Sequence, residues 1–155
     1  MRSFDDTAEG IFDRAYRVAF RILGDRMEAQ DIGQEALARA FVRWPKVEDH
    51  AEAWASTAAA NLAITVWRRR QRRERLMTPR AESEHSEDLA VVRADLVAAL
   101  RGLPRRQREV VVLRYLADLP EAAVGEALGC TIGTVKTHAS RGLEALRRQM
   151  SPVGG

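Results

Sequence analysis

Apolar residues recur three and four positions apart through nearly every segment of the chain, and no segment alternates strictly between apolar and polar residues. This spacing places apolar side chains on one side of an α-helix, whereas a half-buried strand requires alternation. The sequence therefore predicts an all-α protein. With 155 residues, 46% of them hydrophobic, the chain can bury a core as one domain or as two small ones.

One stretch near the middle interrupts the helical pattern. The sequence MTPRAESEHSED combines proline, serine and acidic residues with almost no apolar residue, a composition typical of a flexible linker. We therefore predict two small helical domains, residues 1–76 and 89–151, joined by a flexible acidic linker over residues 77–88.

The same spacing predicts the individual helices. The first is expected to be capped by Asp5 or Asp6, and the second to end at Pro45, because proline cannot continue a helix. The expected helices cover approximately residues 6–23, 27–44, 51 onwards, 89–103, a segment containing REVVVLRYL, 121–128 and 132–150.

The last two helices have the pattern of a helix-turn-helix. Gly129 permits the positive φ of a sharp turn, and Cys130 or Thr131 can cap the incoming helix. Ile132 and Val135 begin the row expected to pack inward, and small polar and basic residues lie outside it, where they can reach a DNA major groove. These candidate contacts are Thr134, Lys136, Thr137, His138, Ser140 and Arg141.

Two observations qualify this interpretation. A generic amphipathic helix pair shows the same apolar rows, but it would not require the turn glycine together with a basic outer side and a basic tail. Gly125 also departs from the motif, which usually has alanine there, and glycine costs up to about 1 kcal/mol of helix stability.

Positive charge is concentrated in one run. The chain carries 25 Lys and Arg against 22 Asp and Glu, for a formal charge of only +3, yet residues 68–75 contain six arginines in eight positions. A basic helix end can complement the helix dipole or lie on a membrane surface. Six arginines exceed what capping requires, so phosphate binding is the favoured interpretation.

Several classes of protein are not expected. The single Cys130 excludes an intramolecular disulfide and is typical of a reducing compartment, and no stretch approaches the roughly 20 apolar residues that span a bilayer. The N-terminus lacks a signal-peptide pattern, so we expect a cytoplasmic protein without membrane insertion. The three histidines lie in different segments and match no zinc spacing, so neither a metal, a cofactor nor an enzyme is expected.

Three segments resemble bacterial extracytoplasmic-function (ECF) sigma factors. LRGLPRRQREVVVLRYLADLPEAAVGEALGCTIGTVKTHASRGLEALRR resembles their C-terminal, promoter-reading domain. LGDRMEAQDIGQEALARAFVRW resembles their conserved-region-two helix, and AEAWASTAAANLAITVWRRRQRR resembles the segment that melts and holds the minus-ten promoter element. The resemblance covers about residues 12–150, in the family's order.

The resemblance implies a partner for the second helix. Asp31, Gln34 and Glu35 match the family motif D-x-x-Q-E, which docks on the clamp helices of the largest subunit of core RNA polymerase. Taken alone, the acidic row of Glu28, Asp31 and Glu35 is as easily a solvated helix face. The resemblance also implies promoter DNA and the polymerase beta flap as partners of the C-terminal domain, with an anti-sigma factor as a further candidate.

The resemblance likewise implies a minus-ten contact surface. Its candidate residues are Asp49, His50, Asn61, Arg68, Arg69, Arg70 and Arg72. A buried Asn61 bonded to backbone is the competing interpretation, and Trp54 and Trp67 are expected to be packing residues. Ser56, Thr57 and Thr65 depart from the family, which commonly has basic residues at the first two positions and Asp at the third.

Two other functions remain to be distinguished from a sigma factor. TVKTHASRGL also resembles the output domain of LuxR-type regulators, which bind duplex DNA without a polymerase-docking domain. A protein-interaction adaptor would use the acidic helix face, but it leaves the arginine run unexplained. We therefore expect an ECF sigma factor whose linker is either a passive tether or a connector that enters polymerase channels.

Overall fold

The structure is a computed structural model that describes the backbone of residues 2–76 and 87–150 and the side chains of 2–76 and 91–150. Throughout these ranges the regular structure is helical, as expected for an all-α protein. The elements are α1 (Phe4–Leu23), α2 (Arg26–Val42), α3 (Trp44–Val47), α4 (Ala51–Leu76), α5 (Glu87–Gly102), α6 (Arg105–Val111), a π-helical turn (Val112–Leu116), α7 (Glu121–Leu128) and α8 (Ile132–Met150).

Side-chain caps set the first two helices. Ser3 Oγ accepts from the amide of Asp6 at 3.2 Å, so α1 begins two residues before the predicted start, and its cap is a serine rather than Asp5 or Asp6. The helix ends at Gly24, whose φ of 69° is left-handed. Asp25 then caps α2 by accepting from the amide of Glu28 at 2.9 Å.

The end of α2 differs from the prediction. It stops at Val42, and Pro45 lies inside the first turn of the short helix α3 instead of ending α2. The physical reason is that proline fits a first helical turn, where its missing amide would have no partner.

Helices α1, α2 and α4 pack together as the first domain. Ile11 and Ile22 are fully buried on α1, and α4 packs against them through an alanine row that includes Ala55, Ala59 and Ala63. Small side chains on α4 let its backbone approach α1 closely. The arginine-rich C-terminal end of α4 extends beyond this contact and is exposed.

Helices α5–α8 and the π-helical turn form the second domain, and α7 and α8 have the predicted bounds. The segment REVVVLRYL is not one regular helix, since α6 ends at Val111 and the amide of Ala117 bonds to the carbonyl of Val112 at 2.9 Å. Helix α5 begins at Glu87, so the last two positions of the predicted linker are helical, while residues 77–86 lie outside the described ranges.

The two domains contact each other. Helices α1 and α4 of the first touch α5, the π-helical turn and α7 of the second, and the buried apolar residues of both domains belong to one continuous cluster. In the described part of the chain, no helix is both long and apolar enough to cross a bilayer.

Candidate nucleic-acid interface

The turn between α7 and α8 is built by three residues. Gly129 adopts φ 69° and ψ 36°, the left-handed conformation expected from the sequence. Of the two candidate caps, Thr131 is the one used, because its Oγ1 accepts from the amide of Thr134 at 3.1 Å. A Cβ placed on Gly125 would lie 2.7 Å from the carbonyl oxygen of Cys130, so the tight turn requires glycine where the motif usually has alanine.

The outer side of α8 presents most of the predicted contact residues. Val135, Ala139 and Leu146 are buried against the domain, as predicted from their spacing. The candidate residues that are exposed are Thr134, Lys136, Thr137, Ser140 and Arg141. These side chains therefore form one accessible surface.

Two residues of α8 differ from the prediction. His138 is half-buried, and its Nδ1 is buried without a hydrogen-bond partner among the described residues, so it lies at the edge of the core rather than on the outer side. Ile132 was expected to face inward but is 47% exposed, because it lies in the first turn of the helix. An exposed apolar side chain beside Thr131 and Thr134 is a feature that the spacing alone did not identify.

Contacts within the motif orient part of this surface. Lys136 Nζ lies 3.8 Å from a carboxylate oxygen of Glu121 at the start of α7, and Thr137 Oγ1 donates to the carbonyl of Gly133 at 3.0 Å. The side chain of Arg141 has no partner among the described residues. Of the two basic candidates on α8, Arg141 is thus available to a ligand, whereas Lys136 would exchange one partner for another.

A second candidate surface lies on α4 and the residues before it. Asn61 is exposed, which excludes the alternative of a buried asparagine. Its side-chain amide has no partner among the described residues, and its backbone carbonyl accepts from Thr65 Oγ1 at 3.0 Å. Asp49 is exposed and His50 is half-buried. His50 and Asn61 line a cleft of about 1020 Å³, together with Trp54 and residues of the second domain.

The arginines between residues 68 and 75 differ in exposure and in their contacts. Arg68, Arg69 and Arg72 are exposed. Arg70 is instead half-buried, forms an ion pair with Glu28, and places its guanidinium carbon 5.3 Å from the ring centroid of Trp67. The sequence grouped Arg70 with its neighbours as a DNA contact, but in the structure it links α4 to α2.

The two tryptophans also differ from each other. Trp67 is only 8% exposed and is a core residue, as predicted. Trp54 is half-buried on the cleft wall, where the guanidinium of Arg43 lies 5.9 Å from its ring centroid. One face of α4 therefore combines an indole, an amide and exposed guanidinium groups.

The acidic motif lies on the exposed side of α2. Asp31, Gln34 and Glu35 are all exposed. Glu35 forms an ion pair with Arg39 at 2.9 Å, and Glu28 forms an ion pair with Arg70. Two large apolar residues flank the motif on the same side, Met27 (78% exposed) and Phe41 (63% exposed). The sequence analysis did not identify them, although positions 27, 31, 34, 38 and 41 are three or four residues apart and therefore lie on one face of the helix.

Comparison with known proteins assigns the family. The sigma-70 region 2 family model matches residues 12–73, and the sigma-70 region 4 model matches residues 93–146. The ECF RNA polymerase sigma factor SigW of Bacillus subtilis is 33% identical, over 96% of this chain and 89% of the relative. The RNA polymerase sigma-E factor of Streptomyces coelicolor is 34% identical, over 89% of this chain and 80% of the relative.

The chain belongs to the ECF sigma factor family. As a member, it directs promoter recognition and transcription initiation by RNA polymerase, and it is a DNA-binding initiation factor. A LuxR-type regulator is not favoured, because the region 2 match occupies the first half of the chain. The solved structure of the sigma factor RpoE in complex with the anti-sigma factor NepR from Bartonella quintana has a similar fold, with a TM-score of 0.54 and 21% identity over 97% of this chain and 98% of that one.

Proposed function

We propose that this ECF sigma factor divides its task between three surfaces: α2 docks on core polymerase, α4 with the residues before it captures the minus-ten element, and α8 reads the minus-thirty-five element. The observation that carries this proposal is the exposure of all three surfaces on separate helices, each held by its own buried face. The proposed domains are residues 1–76 and 87–151, because α5 begins at Glu87, and the linker joins them.

On α8, the residues of the first turns are suited to a major groove. Recognition helices contact base edges through their N-terminal residues, and arginine forms bidentate bonds to guanine. Arg141 and Lys136 supply the positive charge, and Thr134, Thr137 and Ser140 supply hydroxyl groups. Ile132 adds an apolar contact of the kind that recognises the methyl group of thymine. His138 supports the helix from the core side.

On α4, the exposed amide of Asn61 has both a donor and an acceptor for the edge of an unpaired base. Asp49 and His50 lie at the start of the same surface, and Trp54 borders it. Beyond them, Arg68, Arg69 and Arg72 project along the helix and can follow a phosphate backbone. Arg70 holds α4 in position through Glu28 and Trp67.

On α2, the docking surface combines an acidic centre with apolar ends. Asp31, Gln34 and Glu35 provide charge that steers association, and Met27 and Phe41 provide area that is removed from water on docking. The proposed partner is the clamp helices of the largest polymerase subunit, with the beta flap as partner of the C-terminal domain. Because a structurally similar sigma factor is complexed with an anti-sigma factor, we include such a regulator among the partners, and we place the protein in the cytoplasm with RNA polymerase.

A double dissociation tests the division of labour. Asp31→Lys should weaken binding to purified core polymerase at least tenfold, because it reverses the charge at the centre of the docking face. Lys136→Ala with Arg141→Ala should leave core binding unchanged and should weaken binding of the holoenzyme to promoter fragments. For each phosphate that the variant no longer neutralises, the slope of log affinity against log salt should also become shallower by about 0.9.

Glu9→Lys is the matched control for Asp31→Lys. Glu9 is exposed on α1, in the same domain, and its substitution makes the same change in net charge. If Glu9→Lys weakens core binding as much as Asp31→Lys, the effect is one of total charge and the docking face on α2 is wrong. If the α8 substitutions abolish core binding, the separation of tasks is wrong.

A further inference from the structure

A carboxylate in the first turn of α4 lies directly on the backbone of α1. Glu52 Oε2 accepts from Arg14 Nε at 3.2 Å. A Cβ placed on Gly10 would overlap Glu52 Oε1 and would lie 3.2 Å from Glu52 Cδ. The side chain of Glu52 therefore occupies the space that any larger residue at position 10 would fill.

This contact accounts for a glycine inside a helix. Gly10 lies in the interior of α1 and does not have a positive φ, so neither a turn nor a cap requires glycine there. Glycine is less favourable than alanine inside a helix, because it loses more conformational freedom on folding. What the glycine provides is room for the carboxylate of Glu52.

The first turn of α4 is held in place around Glu52. The negative charge of Glu52 is favoured by the positive N-terminal end of the helix. Its backbone carbonyl accepts from Oγ of the fully buried Ser56 at 2.7 Å. The side chains of Arg14 and Glu52 are 27% and 36% exposed, so water screens their attraction only in part.

The residues just before this turn have little freedom of their own. The segment between α3 and α4 consists of residues 48–50 and lies between two buried residues, Val47 and Ala51. The amide of His50 donates to the carbonyl of Val47, and the carbonyl of His50 accepts from the amide of Trp54, each at 2.9 Å. Because the segment is so short, a shift in the first turn of α4 would move His50 with it.

We propose that Glu52, packed on Gly10, is a positioning residue for minus-ten recognition. It fixes the start of α4 and thereby the distances among Asp49, His50 and Asn61, without contacting DNA itself. Base edges carry the sequence information of a site, so displacement of these side chains reduces discrimination between bases. The proposal rests on the function proposed for α4 and the residues before it.

Base preference and affinity respond differently to this contact. The exposed Arg68, Arg69 and Arg72 lie about 24–30 Å along α4 from Glu52, at about 1.5 Å per residue. Phosphate contacts supply affinity that is independent of sequence, and their number sets the salt dependence of binding. Loss of the Glu52 contact should therefore weaken discrimination between bases and leave the salt dependence unchanged.

The test uses holoenzyme reconstituted from core polymerase and the full-length protein. It is mixed with a pool of DNA fragments in which about six positions of the minus-ten region are unpaired and randomised, and the bound fragments are sequenced. The wild type should enrich particular bases. Glu52→Gln keeps the shape of the side chain and removes its charge, so it should lower the enrichment ratio at one or more positions by about 1.4-fold to 5-fold, the range for a partly exposed ion pair.

Gly10→Ala separates positioning from stability. The added Cβ displaces the end of a flexible side chain, and alanine favours the helix, so the Tm should be unchanged or higher while base preference falls. Unfolding cannot cause a loss of base preference in a protein of undiminished stability. In a Glu52→Ala background, Gly10→Ala should not lower the base preference further, because no carboxylate remains to be displaced.

Glu9→Gln controls for the loss of one negative charge. Glu9 is exposed on α1 beside Gly10, and its substitution should change neither the base preference nor the salt dependence. Arg14 is left intact in every variant, because it also donates to the carbonyl of Ala117. If Glu52→Gln weakens binding to all fragments equally, Glu52 is only structural and the positioning role is wrong.

The outcomes also separate this proposal from the one on which it rests. A wild type without base preference in the randomised segment would overturn the function proposed for α4, and the positioning role with it. A wild-type preference that Glu52→Gln and Gly10→Ala both retain would overturn the positioning role alone.

Discussion

Gly125 shows how one residue can reverse the expectation from helix propensity. Replacing glycine with alanine inside a helix normally gains about 1 kcal/mol. Here the added Cβ would lie 2.7 Å from the carbonyl oxygen of Cys130, which belongs to the backbone of the turn and cannot move aside cheaply. We expect Gly125→Ala to destabilise the protein by about 1–3 kcal/mol, as overpacking does, measured by urea unfolding.

Gly133→Ala is the matched control for this prediction. Gly133 is exposed in α8, and a Cβ there would meet only Thr131 Oγ1, at 3.8 Å. This substitution should be neutral or stabilising by up to about 1 kcal/mol. Equal stabilisation of both variants would show that the turn relaxes and that Gly125 is not required.

The residues that sequence reasoning misplaced or left open depend on local geometry that apolar spacing does not show. A helical projection assumes that a helix is covered equally along its length, but Ile132 lies in the first turn and is 47% exposed. His138 lies at the margin between the two sides, so its burial depends on its neighbours. Cys130 and Thr131 were equivalent candidates for the cap, and only the distance from Thr131 Oγ1 to the amide of Thr134 distinguishes them.

Within the helix α4, the neighbouring residues Arg69 and Arg70 are of the same type but have different surroundings. Arg70→Ala removes the ion pair with Glu28 and the contact with Trp67, so it should lower the free energy of unfolding by about 1 kcal/mol. Arg69→Ala, on the exposed side of the same helix, should leave stability within about 0.5 kcal/mol and should weaken DNA binding. Thermal unfolding and fluorescence anisotropy with a promoter fragment measure the two effects.

The two variants control for each other, because they remove the same charge one position apart. If Arg69→Ala destabilises the fold as much as Arg70→Ala, the difference in burial between the two side chains does not affect the free energy of unfolding. If Arg70→Ala weakens DNA binding at unchanged stability, Arg70 contacts DNA, as its position in the arginine run suggests.

The helices themselves were largely predictable from the sequence, because their boundaries depend on local chemistry. Gly24 and Gly129 end helices by adopting positive φ, and the bounds of α7 and α8 were predicted correctly. The π-helical turn was not predictable, since REVVVLRYL has the spacing of an ordinary helix. The start of α3 at Trp44 was also missed, because Pro45 suits both the end of one helix and the first turn of the next.

For the whole molecule, the sequence indicated two domains but not how they meet. Arg14 and Arg21 of α1 donate to backbone carbonyls at the end of the π-helical turn. Because every residue has a backbone carbonyl, the sequence cannot show which ones are bound. Asp118 takes part in this contact through a charged side chain, which pairs with Arg21, but the sequence does not show that α1 lies beside it. Most exposed positions on α2, α4 and α8 were predictable from the apolar spacing, but Arg70, His138 and Ile132 were not.

The linker predicted over residues 77–88 can be tested at the same scale. If it is a passive tether between two polymerase contacts, doubling its length should weaken association with core polymerase only about threefold, since effective concentration falls as roughly the −3/2 power of length. Scrambling its sequence at constant length and composition should change neither core binding nor the yield of initiated transcripts. A loss of initiation on scrambling would show instead that the linker contacts the polymerase specifically.

The π-helical turn makes one short part of the chain tolerant of a single-residue deletion. Such a turn holds one residue more than an α-helical turn, so deleting one residue from Val112–Leu116 would restore an ordinary helix and leave the chain after it pointing in nearly the same direction. Asp118 would therefore stay near Arg21. The same deletion inside α8, which is a regular α-helix, would rotate every later residue by about 100°.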